Sequence, residues 1–223
     1  MIPTTNELLK QNVIDQLTWD TSVNANQVFV KVNDGRVELT GQVRNLAAKV
    51  AAERNAYEVN GVTEVDNRLE ISFPPETTAL SDNEIKQNAE SMLSWNQDIN
   101  PEYIELHCKK GVVTLTGKVE SFKEKHQAAD LVVTLEGVLD VDNQLEVSPA
   151  KDILDYQIYK EITDTFRRAR IIDESKLIAE VDIGKVTLKG QAATYFEKMH
   201  ARNIAIHTNG VTNVIDKIEI AYS

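Results

Sequence analysis

A chain of 223 residues, 42% hydrophobic and 26% charged, has the composition of an ordinary folded protein and is neither fibrous nor disordered. Its net charge of −11 argues against wholesale nucleic-acid binding, which needs a clustered basic surface to neutralise phosphates. The single cysteine, Cys108, excludes an intramolecular disulfide and a multi-cysteine metal site, and no stretch approaches the ~20 apolar residues of a transmembrane segment.

Leu9, Val13 and Leu17 recur every four residues and predict an amphipathic first helix, with Thr4-x-x-Glu7 as a capping box at its start. A turn carrying Asn24 follows. Val28, Val30 and Val32 alternate up to Asp34-Gly35, and Val37, Leu39 and Val43 continue beyond it, the signature of a β-hairpin. The outward positions Glu38, Thr40 and Gln42 are polar, so one face of the sheet is expected to be wet. Gly41 falls at an inward position, where the missing side chain is expected to admit a helix backbone. A second helix over Leu46–Val59 presents Ala52 as the small surface for that approach. Val65, Leu69 and Ile71 mark a last strand, reached by a strand–helix–strand crossover and so expected to run parallel to the second.

This series occurs three times. The nine glycines fall as Gly35, Gly41, Gly61, then Gly111, Gly117, Gly137, then Gly184, Gly190, Gly210, with constant offsets of 76 and 73 residues. The helix stripes repeat as Ile85, Ala89, Leu93 and as Ile158, Ile162, Phe166, and Ser81-x-x-Glu84 supplies a second capping box. The second helices repeat over 122–135 and 195–207, with Ala128 and Ala201 aligned to Ala52. Proline marks the joints Phe73-Pro74-Pro75 and Ser148-Pro149-Ala150. The fold class is therefore α+β: three tandem αββαβ units over 1–74, 75–149 and 150–223, each a three-stranded mixed sheet with two helices on one face and its own core.

Asp34-Gly35-x-Val37-x-Leu39-x-Gly41, an alanine-rich helix, and Gly61-Val62-x-x-Val65-x-Asn67-x-Leu69 together resemble the BON domain, and the resemblance covers essentially the whole chain as three units. It implies a binding module with no established catalytic activity, found in bacterial osmotic-stress and envelope proteins and associated with phospholipid surfaces. Members of this kind also occur as tandem units without a signal. Residues 1–20 carry no basic start followed by an apolar run. A cytoplasmic location is thus expected as the sequence stands, and a periplasmic one if a leader has been removed.

A search for chemistry yields no catalytic, cofactor or metal constellation. His107 replaces Lys31 and Glu180 on the outward strand face and reads as a solvated substitute. His200 and His207 are seven apart, not the i, i+4 pair with a glutamate of a zinc helix. Cys108 aligns with Val32 and Val181 and reads as a small buried hydrophobe. Glu70, Glu146 and Glu219 recur outward on the last strand as solubilising edge charges. Asn67, Asn143 and Asp216 interrupt the inward apolar alternation and are expected to bond their own backbone. Trp19 and Trp95 share one position and read as core covers in preference to membrane anchors.

Charge separates the units more sharply, with net values of −3, −8 and 0 in chain order. The third collects Arg167, Arg168 and Arg170 after its first helix, with Lys198 and Arg202 on its second beside Tyr195 and Phe196. These five cations are the candidate site for an anionic surface, each worth about 1 kcal/mol close to it; complementing the helix dipole is the structural alternative. The sequence thus predicts a non-enzymatic, stress-related tandem binding protein with no cofactor, attaching peripherally to anionic phospholipid. The alternative is a protein-interaction scaffold or holdase with no lipid role.

Overall fold

In a computed structural model the chain is described over residues 5–72, 80–149, 153–169, 172–173 and 175–221. The elements of the first repeat are α1 (Thr5–Trp19), β1 (Val28–Asn33), β2 (Arg36–Val43), α2 (Leu46–Tyr57) and β3 (Glu64–Ile71). The second has α3 (Asp82–Trp95), β4 (Ile104–Lys109), β5 (Val112–Val119), α4 (Phe122–Val133), β6 (Asp140–Asn143) and β7 (Glu146–Val147). The third has α5 (Asp155–Arg168), β8 (Leu177–Asp182), β9 (Lys185–Ala192), α6 (Tyr195–His207) and β10 (Asn213–Ile220). These are three αββαβ units, with the last strand of the second broken between β6 and β7. Residue contacts group the chain into two compact units; the first repeat lies wholly in one, the third wholly in the other, and the second contributes to both.

Each sheet has the hairpin's second strand at its centre. β1 pairs antiparallel with β2 and β3 pairs parallel with β2, as the crossover demands; β8, β9 and β10 repeat the arrangement, and β7 is parallel to β5. In the first repeat α1 lies over β1 and α2 over β3. Leu9, Val13 and Leu17 meet Val30, Val37, Leu39 and Leu69 in one core, and Ala48, Ala52 and Ala56 close it from the second helix. Burying such a set of Val and Leu side chains contributes roughly 1.5–3 kcal/mol each relative to exposure. Ala52, Ala128 and Ala201 are all fully buried.

The hairpin turns place two successive residues at positive φ, the type I′ geometry that matches strand twist. Its first position is held by Asp34, Lys110 and Ile183 at φ 48°, 53° and 49°. The glycine after the turn is needed for a different neighbour from the one the sequence suggested. A Cβ on Gly41 would run into the carbonyl oxygen of Gln27, just before β1, and Gly41 sits at φ 114°. The close approach is therefore to the short 3₁₀ turn Ala25–Gln27 that leads into β1, and not to the second helix. Gly117 and Gly190 meet the carbonyls of Tyr103 and Lys176 in the same way.

The capping box at Ser81 and Glu84 is formed: the Ser81 amide donates to Glu84 at 2.8 Å and the Glu84 amide to the Ser81 hydroxyl at 3.3 Å. Thr4 of the first box and the joint Phe73-Pro74-Pro75 lie outside the described residues, as does Ala150 of the second joint.

Candidate functional site

One residue near the start of each first helix clamps the hairpin turn. Asp155 accepts the amides of Ile183 and Gly184, both at 2.8 Å, and Asp82 accepts those of Lys110 and Gly111 at 2.8 and 2.9 Å. Asn6 accepts the Asp34 amide at 3.2 Å. The two amides hold the Asp82 carboxyl below the usual carboxylate range. The clamp brings the turn against the helix start, so the residues flanking it share one rim of the domain.

At four positions of that rim the third repeat carries large apolar side chains where the other two carry polar ones. Leu154 is 68% exposed, Tyr156 70% and Ile183 84%, with Tyr159 exposed one turn further along α5. The aligned residues are Thr5, Glu7, Asp34 and Lys10 in the first repeat and Ser81, Asn83, Lys110 and Lys86 in the second. Ile183 is the least expected of these. A β-branched side chain in the left-handed region is strained, and nothing buries it in return. Tyr156, Tyr159, Lys160, Thr163 and Arg167 follow one another at helical spacing on the outer face of α5.

The five cations singled out from the sequence are not alike. Arg167 and Arg168 are exposed at the end of α5. Arg167 pairs with Asp164 at 3.1 Å, while Arg168 donates to the Asp164 carbonyl and the Thr165 hydroxyl. Arg170 lies outside the described residues. Lys198 turns inward: its ammonium donates to the Ile218 carbonyl at 2.7 Å and faces Asp216 at 3.5 Å. Arg202 is half-buried and faces His126 of α4.

The inward polar position of the last strand explains Lys198. Asn67 donates to the Lys49 carbonyl at 2.9 Å and accepts the Leu69 amide; Asn143 does the same with Lys125 and Leu145. Asp216 has no amide to donate. It keeps the acceptor bond, from the Ile218 amide at 2.9 Å, and the Lys198 ammonium balances its charge.

Several side chains stand elsewhere than the sequence suggested. Trp19 and Trp95 are 84% and 85% exposed and cover no core. Each lies two residues past the last stripe residue, ~200° round the helix, which is the solvent side. Cys108 is half-buried, not buried, and its thiol donates to Asp82 at 3.5 Å. Burial, then the Asp82 carboxylate, push that thiol up, which keeps it protonated and a poor nucleophile. His107 is exposed on the outward strand face, as expected, while His200 stacks on Phe196 and His207 bonds the Asn203 carbonyl. Glu70, Glu146 and Glu219 are exposed on the last strands, in the outward position expected of them.

Two buried glutamates went unnoticed in the sequence. Glu124 accepts the Asn100 and Glu120 amides, and Glu197 those of Asp173 and Ala193, tying the turn before the hairpin to the start of the second helix. The first repeat has Ala48 at the same offset, so the exchange of alanine for glutamate is visible in the aligned repeats. Among the described residues no group of three or more His, Cys, Asp or Glu could hold a metal ion. No described helix is long and apolar enough to cross a membrane.

Comparison with solved structures returns CdsD, a structural protein of the type III secretion system of Chlamydia trachomatis, at 15% identity and a TM-score of 0.29, covering 96% of this chain and 92% of that one. The periplasmic domain of PrgH is matched at 14% identity and a TM-score of 0.24, covering 93% and 99%. Among curated proteins, the osmotically-inducible protein Y of Escherichia coli (strain K12) is 24% identical over 128 residues, which is 56% of this chain and 64% of that protein. The BON domain model matches three times, over residues 5–72, 81–149 and 155–222, so nearly the whole chain is accounted for and the chain belongs to the BON domain family.

Proposed function

We propose that this chain is a non-enzymatic, stress-related binding protein of three BON domains, 1–74, 75–149 and 150–223, that attaches peripherally to anionic phospholipid through the third. The observation that carries the reading is the rim of Leu154, Tyr156, Tyr159 and Ile183, exposed on the one domain without net negative charge. Tyrosine rings and short aliphatic side chains partition into the headgroup and acyl boundary. Arg167 and Arg168 at the far end of the same helix would meet headgroup phosphates, each adding about 1 kcal/mol. Arg170, close by in the sequence, would add to this cationic stretch, whereas Arg202 and Lys198 are half-buried against His126 and Asp216. The likeness to an osmotically-inducible protein supports the stress assignment.

Flotation with vesicles of phosphatidylglycerol or of phosphatidylcholine, at low and physiological salt, tests this. The chain is expected to float with the anionic vesicles only and less so in salt. Leu154→Ser, Tyr156→Asn, Tyr159→Lys and Ile183→Lys together install the second repeat's residues and should abolish flotation. Arg167→Glu, Arg168→Glu and Arg170→Glu should weaken it. No flotation of the native chain under any condition overturns the lipid reading. A salt-insensitive pull-down of a protein lost on changing the same four rim residues would establish the scaffold in its place.

A further inference from the structure

The contact between the second and third repeats contains a titratable group, and this goes beyond any lipid role. Phe122, the first residue of α4, is buried in one cluster with Ile162, Val186, Ala201, Ala205 and Val211 of the third repeat. Its amide donates to the Val211 carbonyl at 3.3 Å. One turn further along α4, the His126 ring stands edge-on to Phe122, with centroids 4.8 Å apart and planes at 79°. The aligned residue of the first repeat, Val50, is 50% exposed, so this helix position points away from its own core. His126 is half-buried there, facing Arg202 and His207 of α6. From its own helix it faces Lys125, whose ammonium donates to the Leu145 carbonyl, and Asp130.

We propose that His126 is a proton-operated latch: neutral, it packs on Phe122 and lets α4 dock on the third repeat; charged, it loosens that docking. An imidazolium here would be withdrawn from water beside the Arg202 guanidinium, with Asp130 as the opposing carboxylate. Burial first, then Arg202, push the imidazole below its ordinary value of 6.5, with Lys125 and His207 acting in the same direction and Asp130 in the other. The docked state therefore binds fewer protons at His126 than the undocked one. Docking is complete above the ordinary histidine range and is lost as pH falls through it and below.

Hydrogen exchange at the Phe122 amide of the full chain reads the docking bond, once corrected for intrinsic rates. Protection is expected to fall several-fold between about pH 7.5 and about pH 5, a span that brackets histidine titration. The Leu188 amide in the core of the third repeat should stay protected throughout. His126→Gln should hold Phe122 protection level across that range, and His207→Gln should leave the fall in place. Equal protection of the native chain at both pH values overturns the latch, as does an unchanged fall in His126→Gln. Loss of the fall in His207→Gln assigns the switch to another residue and overturns it too, and parallel loss at Leu188 reduces the effect to acid unfolding.

Discussion

Strand pairing in the first and third repeats coincides residue for residue: Val30 faces Leu39 and Leu39 adjoins Asn67 in one, while Ala179 faces Leu188 and Leu188 adjoins Asp216 in the other. Around that shared ladder the chemistry differs. The first repeat surrounds its hairpin clamp with Thr5, Glu7, Lys10 and Asp34, and the third with Leu154, Tyr156, Tyr159 and Ile183. The two repeats therefore show which positions the fold constrains and which it leaves open. Buried stripe, turn glycine and inward polar residue are held by packing and by the need to satisfy backbone groups. The rim side chains are exposed, and there one repeat can acquire a binding surface without loss of fold.

The equivalence is broken most severely at the glycine beside the hairpin. Gly41→Ala and Gly190→Ala each force a Cβ into the carbonyl oxygen of Gln27 or Lys176 from a positive φ. Both should cost roughly 3 kcal/mol or more, read as a drop in thermal midpoint, and tolerance of one alone would mean the repeats are not structurally equivalent there. The clamp distinguishes them next. Asp155 accepts two amides and Asn6 one, so Asp155→Ala should cost about 1.5–3 kcal/mol and Asn6→Ala about 1 kcal/mol. Denaturant unfolding of the two variants measures the difference, and equal losses would assign the clamp no energetic asymmetry.

The smallest effect sharpens the comparison at the inward polar position. Asp216→Asn restores the amide donor that Asn67 and Asn143 use but leaves Lys198 without its carboxylate, and the two changes should offset to within about 0.5 kcal/mol. Asp216→Ala removes both roles and should cost about 1–2 kcal/mol. If the asparagine variant is as damaged as the alanine one, the ion pair and not the backbone bond secures the third sheet.

Much of the fold was legible in one dimension because its determinants are local or periodic. Equal glycine offsets announced three units, apolar stripes at four-residue spacing announced their helices, and the crossover rule put the last strand parallel to the second. The solvent position of Trp19 is also latent there, since it lies two residues past Leu17 on the opposite side of the helix, although tryptophan as a residue type suggests burial. The rim of the third domain is legible in the same way, since Leu154, Tyr156, Tyr159 and Ile183 align with polar residues in the other two repeats.

Other features depend on which backbone lies opposite which, and no local pattern encodes that. Gly41 signals a close approach in the sequence, yet only tertiary structure decides that its neighbour is the Gln27 carbonyl at the end of the 3₁₀ turn before β1 and not the second helix. Lys198 reads as one more cation until the last strand brings the Ile218 carbonyl and Asp216 against it. Phe122 and His126 sit in α4 of the second repeat but are covered by groups more than seventy residues onward, such as Arg202 and Val211. By itself the sequence determined the repeat, the elements and the core, since these follow from steric and hydrophobic rules within each unit. Tertiary structure alone decided which charges remain available to solvent and which histidine is removed from it, because burial and pairing of a polar group are properties of its neighbours.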